Sequence, residues 1–440
     1  MSEVEFLGFV DNTYPNVPYA GKRKSNYIDL PNSHYDPIEG QRVMETQLEL
    51  LASLERYGLD GAVFSEQHNG PIGLLGNPML AGAWLAARTE RIKIVVNGPL
   101  LNAYQNPVRL AEEIAMVDTM SKGRLMVGFP MGHGMQHHST GINPATARER
   151  HREAHDLLVK ALRDPGPFEW QGKYFNIPYV NLWPRPMHDL EFIMPGGGSL
   201  ETLKLAAERR YTYQNALAPW PSMVKTLERF RELCREAGYE PDPRQSAAVI
   251  SVHVAETDKT ARREVEALEL WNYQNYFRSV SHDNFPPGYV SVASLRAARS
   301  GGYRSTPITE MTYDDLLENR WLISGSPETV TARLSEAVEE LGAGRIIMSV
   351  SNGIKPRWMV DKSLGLFAEQ VLPHFRPSGK PLSAGTELPG YTTNLEYAVK
   401  RRKDAPAPTA ARDGYLIDVT KADLDGVDAR VEPWPPAQTG

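Results

Sequence analysis

One cysteine in 440 residues, Cys234, leaves no partner for an internal disulfide and no second thiolate for a zinc or iron–sulfur site within one chain. It lies in LERFRELCREAG, a helical pattern with no histidine nearby in sequence, so it reads as a small packed residue and not as a nucleophile. Long apolar runs are also missing. No stretch reaches the roughly 18 apolar residues that a bilayer span needs. The N-terminal MSEVEFLGFVDNTYP has no basic region ahead of an apolar one, so no secretory signal is expected and a cytoplasmic location is. Positive charge is scarce: 48 Lys and Arg stand against 54 Asp and Glu, a net charge of −6, which gives no footprint for nucleic acid or an anionic membrane. Glycine (35) and proline (34) stay near ordinary usage, which excludes collagen-like and wholly disordered chains. What is present is 41% hydrophobic residues, ample for a core.

Short apolar runs rich in β-branched residues alternate with longer stretches at helical spacing. Candidate strands are Phe6–Val10, Gly61–Ser65, Ile92–Asn97, Leu125–Phe129, Glu191–Pro195, Tyr211–Asn215, Ala247–Val254 and Arg345–Val350. The clearest helix is Arg42–Tyr57, with apolar residues at three- and four-residue intervals and Gly58 as its C-cap. A second opens at Pro107 and carries Lys122 and Arg124 late, as the helix dipole favours. Eight βα units predict an α/β fold, a (β/α)8 TIM barrel over residues 1–375. After it comes an extended C-terminal tail, 376–440, rich in Pro and Gly, which reads either as draped on the barrel or as an arm exchanged with another subunit. Active sites of such barrels lie at the C-terminal ends of the strands, and three connections are long: Asp11–Gly40, Pro130–Thr146 and Trp271–Asn319. Tyr14, Tyr19, Tyr27, Tyr35 and the run WNYQNYF either wall a pocket or pack on the barrel top or a subunit interface.

Neither a G-x-G-x-x-G after a strand nor a P-loop motif is present. His133, His137, His138, His151 and His155 cluster, but His151-Arg-Glu-Ala-His155 has Arg152 where a zinc-protease helix needs its glutamate. That helix reads as a solvated polar face with Arg148, Arg150 and Arg152, and no metal is expected. After the fifth candidate strand, PGGGSLETLKLAAERR offers Gly196, Gly197 and Gly198 for close approach, Ser199 as N-cap and Thr202 in the first turn. This turn either binds a phosphate at the helix N-terminus or simply reverses the chain; its place on a barrel favours phosphate. The second strand delivers Glu66, Gln67 and His68 to the same rim, where either one of them binds backbone and ties the loop, or His68 acts in acid–base chemistry with Glu66 orienting it. The third ends in Asn97-Gly98-Pro99, where we expect a cis peptide before Pro99 and a turn flat enough to back a planar ligand.

Glu-x-His after the second strand, the block NPVRLAEEIAMVDTMSKGRLMVGF, the glycine–serine turn and SGSPETVTARLSEAVEELGAGRIIM together resemble the bacterial-luciferase-like flavin-dependent monooxygenases over about residues 5–375. The resemblance implies reduced FMN supplied by a separate flavin reductase, O2, a small organic substrate and a homodimer or homotetramer. It also implies a flavin 4a-hydroperoxide that passes one oxygen atom to the substrate and leaves water. Ser199 and Thr202 match residues that hold the flavin phosphate, and Gly98-Pro99 matches the pair that backs the isoalloxazine. Asn97, Gln67 and Gln136 would be neutral donors near the ring, and His68, His133, His137 or His138 would balance protons. Two positions depart from the pattern. Gln67 stands where the family has its first histidine, and Met131 where luciferase has a phosphate-contacting arginine, which argues against light emission but not against oxygenation. A deazaflavin-dependent hydride transfer and a noncatalytic flavin-binding role are the competing readings.

Overall fold

Runs of Val, Ile and Met form parallel strands, each followed by helix, in a computed structural model that describes residues 3–18, 25, 29–132, 134, 136–216, 218–276, 283, 286–289 and 308–376. The strands are β1 (Glu5–Val10), β2 (Gly61–Phe64), β3 (Lys93–Asn97), β4 (Leu125–Gly128), β5 (Phe168–Gln171), β6 (Asn176–Val180), β7 (Glu191–Pro195), β8 (Thr212–Asn215), β9 (Ser246–Val254), β10 (Leu322–Gly325) and β11 (Arg345–Ser351). In the order β1-β2-β3-β4-β7-β8-β9-β11, with β11 returning to β1, eight of them close a parallel barrel. These are the eight strands expected from sequence. Three further strands were not expected. β5 and β6 form a separate antiparallel hairpin, and β10 lies outside the ring against the C-terminal half of β9, pairing Leu322–Gly325 with Ser251–Val254.

The helices begin where their caps dictate. α1 runs Pro37–Ser53, not Arg42–Tyr57: Asp36 accepts hydrogen bonds from the amides of Ile38 (2.8 Å) and Glu39 (3.1 Å), and Pro37 needs no acceptor. Beyond Ser53 the chain continues in turns to Gly58, whose φ of +75° ends the segment. After α2 (Pro78–Arg88), α3 (Pro107–Met120) starts at Pro107 as expected, capped by Asn106. The short α4 (Gln136–Thr140) precedes α5 (Pro144–Arg163), which corrects the solvated-face reading of HREAH. His151, His155 and Arg150 are buried, while Arg148 and Arg152 are exposed. His155 packs edge-on against Phe129, and its Nε2 lies 3.1 Å from the Tyr211 hydroxyl, so burial holds both imidazoles neutral.

Alternation along the strands fills the barrel in layers. At the N-terminal end Glu5, Lys93, Glu191, Thr212 and Arg345 form an enclosed ionic plug: Arg345 binds Glu5 (2.7 Å), Glu191 (2.7 Å) and Thr212 (2.8 Å), and Lys93 binds Glu5 (2.9 Å). Above it sits an apolar layer of Leu7, Val63, Val95, Met126, Ile193, Ala247 and Ile347. Further along the strands, Phe9 and Val249 extend this layer, while Asn97 of β3 and Gln214 of β8 bring polar groups to the C-terminal mouth.

Of the loop aromatics, Tyr14 and Tyr35 pack on each other with ring centroids 5.1 Å apart, and Tyr276 donates to the Tyr14 carbonyl at 2.5 Å, so these side chains stiffen the rim. Tyr19, Tyr27 and Phe277 lie outside the described residues. The chain divides into one unit over Met1–Tyr397 and another over Ala398–Gly440. Everything past Arg376, and with it the tail expected from 376 onward, lies outside the described residues. Among the described residues no helix is long and apolar enough to cross a membrane.

Candidate active site at the barrel mouth

Lys93 and Val95 face the barrel interior, so alternation turns Asn97, the last residue of β3, into the mouth. Its amide oxygen is buried and has no hydrogen-bond partner among the described residues. A β-carbon on Gly128 of β4 would stand 2.7 Å from that oxygen, so the glycine makes room for the amide. On β8 the inward Gln214 likewise has a buried, unpartnered side-chain oxygen. Two neutral amides with open acceptor oxygens thus line one end of the barrel. Unpaired buried polar atoms are costly and are ordinarily satisfied by water or a ligand.

The turn after β3 differs from expectation in one respect. Cis peptides occur at Gly166-Pro167 and Trp183-Pro184, and the Gly98-Pro99 bond is trans. Gly98 reverses the chain through a φ of +127° instead, a conformation that strains any residue with a β-carbon. The turn packs closely on the loop after β2, with the Glu66 amide 3.4 Å from where a Gly98 β-carbon would stand.

Glu66 is buried and ties these loops together. Its Oε1 lies 2.5 Å from His68 Nε2, and its Oε2 accepts from the Leu100 amide at 3.1 Å. Burial raises its carboxyl above the usual range, against the opposing pull of His68. Gln67 accepts from Gln136 Nε2 at 3.2 Å, joining the loop after β2 to α4. The geometry therefore brings Glu66, Gln67, His68, Gly98, Pro99 and Gln136 into one contiguous rim. His137 belongs to its outer side. It is buried, its ring meets Tyr289 edge-on at 5.2 Å, and burial lowers its basicity, so its imidazole is neutral near pH 7. His138 is more open and sits 3.6 Å from Asp283, and His133 lies outside the described residues.

Following β7, Gly196, Gly197 and Gly198 lead into α6 (Leu200–Glu208) with Ser199 as its N-cap. The Ser199 and Thr202 hydroxyls lie 2.8 Å apart, and Ser199 accepts from the Thr202 amide at 3.4 Å. The glycines play different parts. Gly196 is pinned by its amide to the Gln214 carbonyl (3.0 Å) and is crowded by the Tyr213 hydroxyl, while Gly198 has φ +92° and donates to that hydroxyl (2.9 Å). Gly197 faces open space. The Leu200 and Glu201 amides have no acceptor among the described residues, as a helix N-terminus leaves them. Two hydroxyls and unpaired first-turn amides next to open space match the donor set of a phosphate monoester.

Sequence reasoning missed Gln214 and also Asp11. Both were legible as inward, polar, strand-terminal positions once the period-two alternation is extended past the apolar layer.

These features define a (β/α)8 barrel with a candidate site at its C-terminal mouth, and known proteins share that fold. Residues 27–345 match the model of the luciferase-like monooxygenase family, and the chain belongs to that family. Among curated proteins, 2,5-diketocamphane 1,2-monooxygenase 2 of Pseudomonas putida is 27% identical over 316 residues, covering 67% of this chain and 83% of that protein. The oxygenating constituent of the 3,6-diketocamphane monooxygenase of Pseudomonas putida, a type II Baeyer–Villiger enzyme solved with FMN, has the same fold. It aligns at a TM-score of 0.62 and 20% identity, over 85% of this chain and 99% of that one. The coenzyme F420 dependent tetrahydromethanopterin reductase of Methanopyrus kandleri shares the fold at a TM-score of 0.57 and 20% identity, over 85% and 100% of the two chains.

Proposed function

We propose that the protein is an FMN-dependent monooxygenase that takes reduced FMN from a separate flavin reductase and inserts one atom of O2 into a small organic substrate. The observation that carries this reading is the pairing, on one end of the barrel, of a phosphate-type helix N-terminus at Ser199 and Thr202 with the buried, unpartnered Asn97 amide. Reduced FMN, when bound, supplies the electrons that activate O2. The chain's own part is binding and orientation. Ser199, Thr202 and the open backbone at Gly197 hold the phosphate. Asn97, Gln136 and Gln67 present neutral groups to the ring edge, and Gly98-Pro99 forms the wall behind it. Glu66 fixes His68 and the Leu100 loop so that the rim stays closed to bulk water. The loop after β4, residues 130–146, contains no Arg or Lys, which favours FMN over a deazaflavin bearing a long acidic tail.

Anaerobic fluorescence titration with FMN, then with a deazaflavin cofactor, tests the binding half. Mixing the reduced complex with isotopically labelled O2 and a panel of cyclic ketones and terpenes, followed by mass analysis, tests the chemistry. A product heavier by one labelled oxygen atom supports the reading; FMN binding with only hydrogen peroxide released from every substrate overturns it.

A further inference from the structure

Ionisable groups that play no part in holding the flavin gather where β1, β9 and β11 open into the mouth. On β1 the inward residues are Glu5, Leu7 and Phe9, so Asp11 is the next position of the same register and stands at the strand's C-terminal end. Its amide is fixed to the Ser351 carbonyl at 3.0 Å. No hydrogen bond to its carboxylate is found among the described residues. Nearby, Glu269 of α8 (Asp258–Trp271) and Lys355 from the loop after β11 form an ion pair of 2.7 Å, each side chain 1% exposed.

The charged group that acts on Asp11 is Glu269, and the other ionisable groups at this end of the barrel are paired or neutral. α8 presents Glu269, whose negative charge opposes ionisation of Asp11, and the loop after β11 presents Lys355, already committed to Glu269. From β9 comes His253, which burial and Lys355 push down to about 4, so it is neutral; its Nε2 lies 2.9 Å from Glu264. The loop after β2 adds only an uncharged contact, the Leu74 amide on the Asn12 carbonyl at 2.7 Å. Burial, then Glu269, push the Asp11 carboxyl of this half-buried residue up to about 7, so near neutral pH it is divided between its protonated and ionised forms and can pass a proton in either direction. Around the ring β1 lies diametrically opposite β7, the strand that carries the glycine turn, so Asp11 stands across the mouth from the residues that would hold a flavin phosphate.

We propose that Asp11 is the acid–base residue on the substrate side of the mouth, a role that rests on the monooxygenase reading above. During oxygen transfer the Asp11 carboxyl gives its proton to the oxygen atom that departs as water. The O–O bond breaks as one oxygen atom bonds to the substrate; the other takes one proton from the Asp11 carboxyl, whose O–H bond breaks, and a second from reduced FMN, which also supplies both electrons, and solvent returns a proton to the carboxylate.

Infrared difference spectra of the FMN-free protein, recorded across pH, test the protonation directly. A carboxyl band disappearing with a midpoint near 7 in the wild type and missing from Asp11→Asn is expected. In turnover, Asp11→Asn should slow oxygen transfer on the order of 100-fold and divert oxygen to hydrogen peroxide at all pH values. FMN affinity and circular dichroism should stay as in the wild type, and Asp11→Glu should restore a pH-dependent yield. A wild-type carboxyl that titrates in the ordinary acid range, or an Asp11→Asn protein with wild-type yield and pH profile, overturns the assignment. Failure of the underlying reading shows separately, as a wild-type protein that binds no FMN.

Discussion

The amide oxygen of Asn97 occupies the space in which a side chain on Gly128 would begin, 2.7 Å from the position of its β-carbon. Two adjacent strands are thus matched so that a polar group reaches the mouth above the apolar layer. Gly128→Ala should displace that amide while leaving the apolar layer below intact, at a stability cost of about 1–3 kcal/mol. FMN affinity is expected to fall roughly tenfold, about 1.4 kcal/mol, and Asn97→Ala should cost about as much. Because both act on one contact, the double variant should lose no more than either alone. Additive losses in a fluorescence titration would show that Asn97 does not touch the cofactor.

The phosphate assignment separates from the ring assignment by choice of ligand. Replacing both Ser199 and Thr202 with alanine should reduce FMN affinity by about 1–3 kcal/mol for each charge-assisted hydrogen bond lost. Riboflavin, which has no phosphate, should bind both proteins equally. Loss of the Ser199 cap should also lower stability by about 1 kcal/mol, measured as an earlier unfolding transition in urea. Equal weakening of FMN and riboflavin would place the phosphate elsewhere.

At the rim, His68→Ala removes the imidazole held by Glu66 at 2.5 Å. The expected result is more hydrogen peroxide and less product per reduced FMN oxidised, with FMN affinity within a factor of about three of wild type. Glu66→Gln should go further, because it also weakens the bond to the Leu100 amide and so loosens the turn that carries Gly98-Pro99. Protection of the Leu100 amide from hydrogen exchange reads that difference. A His68→Ala protein with unchanged product yield would reduce the histidine to a loop tie.

The sequence made the barrel legible because short apolar runs such as KIVVN of β3, EFIMP of β7 and SAAVISVHV of β9 alternate with stretches at helical spacing, even though β8, TYQN, is itself polar. β10 was harder to see: LISG is four residues long and runs straight into the Ser326 cap of the next helix. The β5 and β6 hairpin packs Phe168, Trp170, Ile177 and Val180 on the core, but its strands are four and five residues long and interleave these with exposed residues such as Tyr179, so no apolar run marks them. Residue types at the mouth were readable, but pairings were not. That Glu66 reaches Leu100, or that Gln67 reaches Gln136 across 69 positions, depends on how loops fold back over a closed barrel. His151 and His155 were misread because the exposed Arg148 and Arg152, which flank them on the same helix, dominate the local composition.

The ionic plug sets stability at low pH. Glu5 is fully enclosed; burial raises its carboxyl, but Arg345 and Lys93 outweigh that and hold it at about 2, below the ordinary 4.5. A depressed carboxyl contributes stability above 4.5, which is lost as pH falls from 4.5 towards 2. Acid unfolding should therefore steepen in that window. Arg345→Met would leave Glu5 and Glu191 with the shared Lys93 and, for Glu5, Arg244 at 4.0 Å, and should cost about 3–5 kcal/mol at neutral pH. Measured against pH, the variant's deficit should shrink as pH falls from 4.5 towards 2, where the Glu5 contribution is lost. A deficit that is constant with pH would mean that Arg345 acts through packing alone.

Asp11 has the opposite sign. Its carboxyl is raised from 3.8 to about 7 in the folded chain, so the folded state binds a proton that the unfolded state has already released between those values. Wild-type stability should consequently decline as pH rises from about 4 to 7 and then level off. Asp11→Asn keeps the shape and abolishes the charge, so it should be near neutral in effect at pH 4 and stabilising by about 1–3 kcal/mol at pH 8. Urea midpoints of the two proteins at both pH values measure this without any cofactor or substrate. The same substitution is expected to be the one that most impairs oxygen transfer. A residue whose removal stabilises the fold while disabling the reaction is kept for chemistry, since holding a carboxyl beside Glu269, with no donor to it among the described residues, costs stability that packing alone would not require. An Asp11→Asn protein less stable than wild type at pH 8 would show that the carboxylate is instead satisfied in solution, and would remove the basis for its proton.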